Sequence, residues 1–182
     1  MTTEDLGEIY LKDALGRFRN TKRLADEAAA QVSDEEFFRA LDPESNSIAL
    51  IMKHMAGNMR SRWTDFLTAD GEKPDRRRDT EFELAGDDRR SLLDAWEGGW
   101  RLVFETVSSL RPADLTRTVR IRHEPYPVVG AINRQIEHYG HHAGQIVFLA
   151  KHLRSSSWRT LSIPRGQSDT FNAGMEEKHK KP

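Results

Sequence analysis

The sequence predicts an all-α chain, an up-down-type four-helix bundle with a short hairpin or extended segment before the last long helix. Three observations predict it. Four segments of roughly 20–28 residues carry apolar side chains at spacings of three and four. A single stretch, Thr116 to Arg122, alternates polar and β-branched residues as a strand would. The chain has 182 residues, enough for one domain with its own core and too few for two comfortable ones.

The first helix is expected from about Thr3 to Gln31, with Leu6, Ile9, Leu11, Leu15, Phe18 and Leu24 set among charges. "SDEE", Ser33 to Glu36, fits a capping box and a short further turn of helix, and Pro43 then breaks the chain. The second helix spans about Ser45 to Thr68 on the stripe Ile48, Met52, Met55, Met59 and Phe66. The polar stretch "DGEKPDRRRDTEFELAGDD", with Gly71 and Pro74, reads as a loop. The third helix spans about Asp87 to Leu110 on Leu93, Trp96, Trp100, Val103, Val107 and Leu110. After the strand-like stretch, the fourth spans about Val128 to Leu153. Its stripe is Ile132, Ile136, Tyr139, Ala143, Ile146, Ala150 and Leu153. A single domain over 1–175 is expected, followed by a frayed charged tail over 176–182.

Composition narrows the function. Charged residues make up 31% and nearly cancel at net charge -1, which argues against a protein built to coat nucleic acid. The chain has no cysteine. Disulfides and thiolate metal sites are therefore excluded, and any thiol chemistry must use a thiol brought by a substrate. The N-terminal residues show no basic region leading into an apolar run, and no stretch reaches the length of a membrane span. A cytoplasmic protein with no membrane partner is expected.

"EHYGHHAGQ", Glu137 to Gln145, packs three of the chain's seven histidines into five residues. His138 and His142 are four apart, so on a helix they stack on one face with about 5–6 Å between Cβ atoms. Each precedes a stripe residue, Tyr139 or Ala143, which places both on the flank of the buried face. His54 stands in the same relation to Met55 on the second helix. A facial set of His54, His138 and His142 follows, provided those two helices touch. A histidine pair at this spacing is more often polar surface than a metal site. His141, His152 and His123 are expected at the surface. Two common metal patterns fail. The zincin motif needs a glutamate between its histidines, and di-iron bundles need Glu-x-x-His on two helices. Any site would be mononuclear.

"IMKHMAGNMRSRWTDFLTADGEKP", "EHYGHHAGQIVFLAKHL" and "TLSIPRGQSDTFN" together resemble the DinB-like/YfiT-like superfamily of bundle metalloproteins, in a branch of largely uncharacterised bacterial proteins. The resemblance covers most of the chain. It implies a divalent ion, zinc or nickel, held by His54, His138 and His142. It also implies a homodimer and a small-molecule substrate. Characterised relatives include thiol S-transferases that use low-molecular-weight thiols, thiol-dependent isomerases, and proteins labelled metal-dependent hydrolases. Three readings stay open: a thiol transferase, a hydrolase, and a non-catalytic stress-related binding or dimerisation bundle. An open coordination position favours either of the first two, and a closed one favours the third.

Other residues near these motifs carry two readings each. Asp65, Glu72 and Glu137 are candidate bases but read better as surface carboxylates. Gln145 and Asn58 share the faces of the histidines and could support a ligand or simply be exposed. "RRR", Arg76 to Arg78, could meet a carboxylate-bearing thiol but reads as a solvated loop. Trp63, Trp96 and Trp100 read as core aromatics. "SIPRGQS" lacks phosphate-loop spacing, though Arg165 could cover a site mouth. Gly140, costing roughly 1 kcal/mol in mid-helix, suggests a close helix approach beside the histidines.

Overall fold

A computed structural model describes residues 2–180. The chain is mostly helical, with one two-stranded hairpin. Helix α1, Thr3–Ala29, starts on a reciprocal cap between Thr2 and Asp5. The short α2, Asp34–Phe38, uses Ser33 and Glu36 in the same way, as "SDEE" suggested. Helix α3 is Ile48–Trp63, capped by Ser47. Helix α4 is Arg89–Ser109, capped by Asp88. Helix α5 is Val128–Arg154, and α6 is Ser168–His179.

One boundary differs from expectation. α3 stops at Trp63, short of Thr68, because Thr64 turns extended and Asp65 takes φ 49°. The Thr64 hydroxyl donates to the carbonyl of Arg60 at 2.7 Å, satisfying a group the helix end would otherwise leave open. At the other end of the chain, α6 runs on to His179, with none of its residues buried. Residues 181–182 of the expected tail lie outside the described residues.

One aromatic from each long helix meets at the centre. Phe18 of α1 lies 5.6 Å from Trp63 of α3 and 5.9 Å from Tyr139 of α5, between ring centroids. Tyr139 lies 5.5 Å from Trp100 of α4. All four are buried, and edge-to-face pairs of this kind add about 0.5–1.5 kcal/mol each beyond area burial. α1 packs on α5 and α4, and α3 packs on α4 and α5. The expected apolar stripe of α1 is only partly used. Leu6 and Ile9 are each 54% exposed, while Ala14, Phe18, Ala25, Ala28 and Ala29 are buried. Small side chains let α1 lie close to its neighbours, Leu11 and Leu15 pack at the edge of the core, and Leu6 and Ile9 are left outside.

Polar contacts fix how the helices meet. Arg89, at the start of α4, donates to the carbonyls of Ala29 and Val32 at the end of α1, at 2.7 and 3.0 Å. A cation there satisfies open carbonyls and suits the negative end of the helix. Tyr10 of α1 donates to Asn133 of α5 at 2.8 Å. The hairpin, β1 Thr118–Ile121 and β2 Glu124–Pro127, pairs antiparallel through Arg122 and His123. Both turn residues have positive φ, 54° and 66°, where glycine or asparagine is usual. Asp70 offsets that strain by accepting both their amides at 2.8 Å. Among the described residues, no helix is long and apolar enough to cross a membrane.

Candidate metal centre

Helices α3 and α5 touch, and their contact brings the three histidines together. His54 occupies the middle of α3; His138 and His142 are one turn apart on α5. One ring nitrogen from each lies within 4.8 Å of the other two. The Nε2 atoms of His138 and His142 are 3.2 Å apart. Two nitrogens each about 2.0–2.1 Å from a tetrahedral zinc stand about 3.3 Å from one another, so this pair already has the spacing of two ligands. Small rotations bring the third ring to the same point.

Hydrogen bonds at the far side of two rings select the nitrogen that faces inward. His54 Nδ1 is 2.8 Å from Glu81 Oε2, and Glu81 is held ionised: burial alone would push its carboxyl up, but the bonds from His54 and Arg76 outweigh it. An ionised carboxylate can only accept, so Nδ1 carries the proton of this bond and Nε2 is the nitrogen left to face the cluster. His142 Nδ1 is 2.8 Å from Gln145 Oε1, which has the same effect. His138 Nδ1 is buried with no hydrogen-bond partner among the described residues. Ligand histidines commonly give their second nitrogen to a carboxylate or carbonyl in this manner.

The two rings on α5 are electrically prepared as neutral donors. Burial first, and then the neighbouring His142 and His54, push His138 down to about 3. Burial also pushes His142 down, reinforced by His54 and His141 and opposed by the Gln145 hydrogen bond. Three imidazoles converging on one point suit, as neutral ligands, a borderline divalent ion such as zinc or nickel. The donor set therefore fits a metal.

The support of His54 extends outward. Glu81 also receives two bonds from Arg76, at 2.8 and 2.9 Å. Phe82 stacks on the His54 ring with centroids 4.8 Å apart, and the Arg78 guanidinium lies 5.0 Å above Phe82. Glu81 and Phe82 belong to a 3-10 turn, Arg78–Phe82, that the loop folds against α3. Gly57, one turn after His54, makes room: a Cβ there would run into the Glu81 carboxylate.

Sequence reasoning missed Glu81. It lies 27 residues from His54 in a segment without periodicity, and the only hint was the concentration of charge around it. Arg76 was expected in solvent, yet its side chain is 5% exposed because Glu81 and Glu72 neutralise it. Arg77 and Arg78 are exposed, as expected of the loop. Glu72 pairs with Arg62, Arg76 and Arg122 rather than facing the histidines. Asp65 and Glu137 are exposed. Asn58 is buried and accepts from the Tyr139 hydroxyl at 3.1 Å, while Trp63 donates to that same oxygen at 3.0 Å. His123, His141, His152 and Arg165 are exposed. The close approach expected at Gly140 is absent: a Cβ there would meet nothing within 4 Å.

Fold and site together define a mostly helical protein with a three-histidine cluster able to hold a metal ion. The chain belongs to the family described as "Protein of unknown function (DUF1572)", whose model matches residues 5–167. No curated protein and no solved structure matches it.

Proposed function

We propose that the chain is a metal-dependent enzyme of the DinB-like superfamily, a four-helix bundle that holds a divalent ion on His54, His138 and His142 and transfers a small thiol to an electrophile. The observation that carries this reading is the set of three imidazoles with no carboxylate among the converging groups. An ion with only neutral ligands keeps its double charge and lowers the pKa of a thiol or water at its open positions.

The chain's own residues orient and admit the reactants. Glu81 and Gln145 fix two ring orientations. Gln145 also lines a groove of about 530 Å³ between the start of α3 and the middle of α5. Leu41, Ile51, Phe148 and Leu149 give that groove an apolar wall suited to the body of an electrophile. In the transfer, a sulfur–carbon bond forms, the leaving group departs with its bonding pair, and the thiol proton goes to solvent. Because the protein has no cysteine, the sulfur must come from the added thiol.

A hydrolase is the second reading. Glu44 and His141 line the same groove, and one of them would take the proton from water in that reading. The test begins with elemental analysis of purified wild type beside His54→Ala and His142→Ala. Stoichiometric metal in wild type and its loss in both variants is expected, and retention by either variant contradicts the ligand set. Thiols of several charges are then assayed with 1-chloro-2,4-dinitrobenzene, with and without chelator. Chelator-sensitive conjugation supports transfer; chelator-sensitive ester hydrolysis without any thiol dependence supports the hydrolase.

A further inference from the structure

On the opposite side of Glu81 from His54 lies a second cavity, of about 730 Å³, between α3, α4 and the loop that carries Arg76. Small-molecule sites occupy about 300–1,000 Å³, so its size is that of a whole small ligand. Its floor is apolar and low: Ala56 and Gly57 from α3, and Gly98, Gly99 and Leu102 from α4. Gly98 opens the space, since a Cβ there would meet nothing within 4 Å.

The rim is cationic. Lys53, Arg60, Lys73, Arg76 and Arg77 line the cavity against only Asp75 and Glu81. Three of the five are already engaged: Lys53 with Asp87, Arg60 with Asp75 and Arg76 with Glu81. Lys73 and Arg77 have no carboxylate within ion-pair distance among the described residues; Lys73 bonds only the backbone carbonyl of Asp70. Burial, moreover, holds the Lys73 amine below its ordinary range. Asp65, Asp70 and Asp75 offset Lys73 only at longer range, so an anion entering beside these two groups would be met by cations with no direct ion-pair partner.

We infer that this cavity is a binding site for a small organic anion with an apolar body, such as an aromatic or alkyl carboxylate, sulfonate or phosphate ester. Its acidic group lies against Lys73 and Arg77, and its body lies over Gly57, Gly98 and Leu102. Glu81 stands between this site and His54, so the bound molecule sits behind the ligand ring and not on the converging face of the cluster. The site is separate from the histidines and does not rest on their holding a metal.

The probe is 8-anilinonaphthalene-1-sulfonate, titrated by fluorescence against full-length protein with and without chelator. Saturable binding of one dye per chain in both conditions is expected. N-phenyl-1-naphthylamine, the neutral counterpart, is expected to bind more weakly. Arg77→Glu weakens dye binding about tenfold through charge reversal. Gly98→Leu abolishes it by filling the floor. Absence of saturable binding overturns the inference, as does binding that survives both variants, which would place the dye in the apolar groove beside Phe148 instead. Equal affinity for the neutral dye overturns the anionic preference. Melting curves check that Gly98→Leu folds; if it does not, Arg77→Glu, at an exposed position, decides alone.

Discussion

Glu81 accepts from His54 Nδ1 at 2.8 Å while Arg76 holds both of its oxygens. One carboxylate thus fixes the tautomer of a candidate ligand and is itself fixed by a buried cation. Glu81→Gln keeps the shape and removes the charge. Supporting groups of this kind are worth about 10–100-fold in metal affinity, so zinc affinity is expected to fall within that range, measured by competition with a chromogenic chelator. An unchanged affinity would show that Glu81 serves only the fold.

Gly57 tests the same contact by sterics. Alanine is ordinarily better than glycine in a helix by about 0.8–1 kcal/mol. At residue 57 the new methyl would displace Glu81. Gly57→Ala is therefore expected to lower zinc affinity even if its melting temperature rises. Gly140→Ala is the control, because its methyl meets nothing. It is expected to raise stability by up to about 1 kcal/mol and to leave metal content unchanged in elemental analysis.

His138 sets a pH dependence in the metal-free protein. Its folded value is held down to about 3, against 6.5 ordinarily. Between those values the unfolded chain binds a proton that the folded chain refuses, so the contribution is fully present above 6.5 and is lost as pH falls through this window. Urea midpoints measured with chelator at pH 7 and pH 5 are expected to differ more in wild type than in His138→Gln. Equal differences would mean that the ring is not held neutral by the fold.

Tyr139 joins the site to the core. Its hydroxyl accepts from Trp63 and donates to Asn58, both buried. Tyr139→Phe leaves two polar groups unpaired inside the core, at a cost of about 1–3 kcal/mol. For a chain of this size each kcal/mol lowers Tm by roughly 2–4 °C. A calorimetric Tm within a degree of wild type would indicate that both groups find other partners.

Periodicity made the long helices legible, because a helix buried on one side must repeat its apolar residues at three and four regardless of what covers them. The stripes of α3, α4 and α5 were readable for that reason. α1 was read less well, since its buried face is mostly alanine and Leu6 and Ile9 of its expected stripe are exposed. The hairpin was visible only as an alternation. Its turn, Arg122 and His123, carries no turn residue, and what stabilises it is Asp70, more than fifty positions earlier.

The sequence alone determined that His138 and His142 share a helix face, that any metal must take nitrogen or oxygen ligands, and that any reacting thiol must come from outside. Helical geometry and the absence of cysteine decide those points within one segment or by composition. Only the tertiary structure brought His54 to the pair, placed Glu81 behind it, buried Arg76, and opened a cationic cavity on the far side of that carboxylate. These relationships join segments through a 3-10 turn and a packed helix pair. Charge neutralisation and close packing across such distances leave no spacing for a sequence to display.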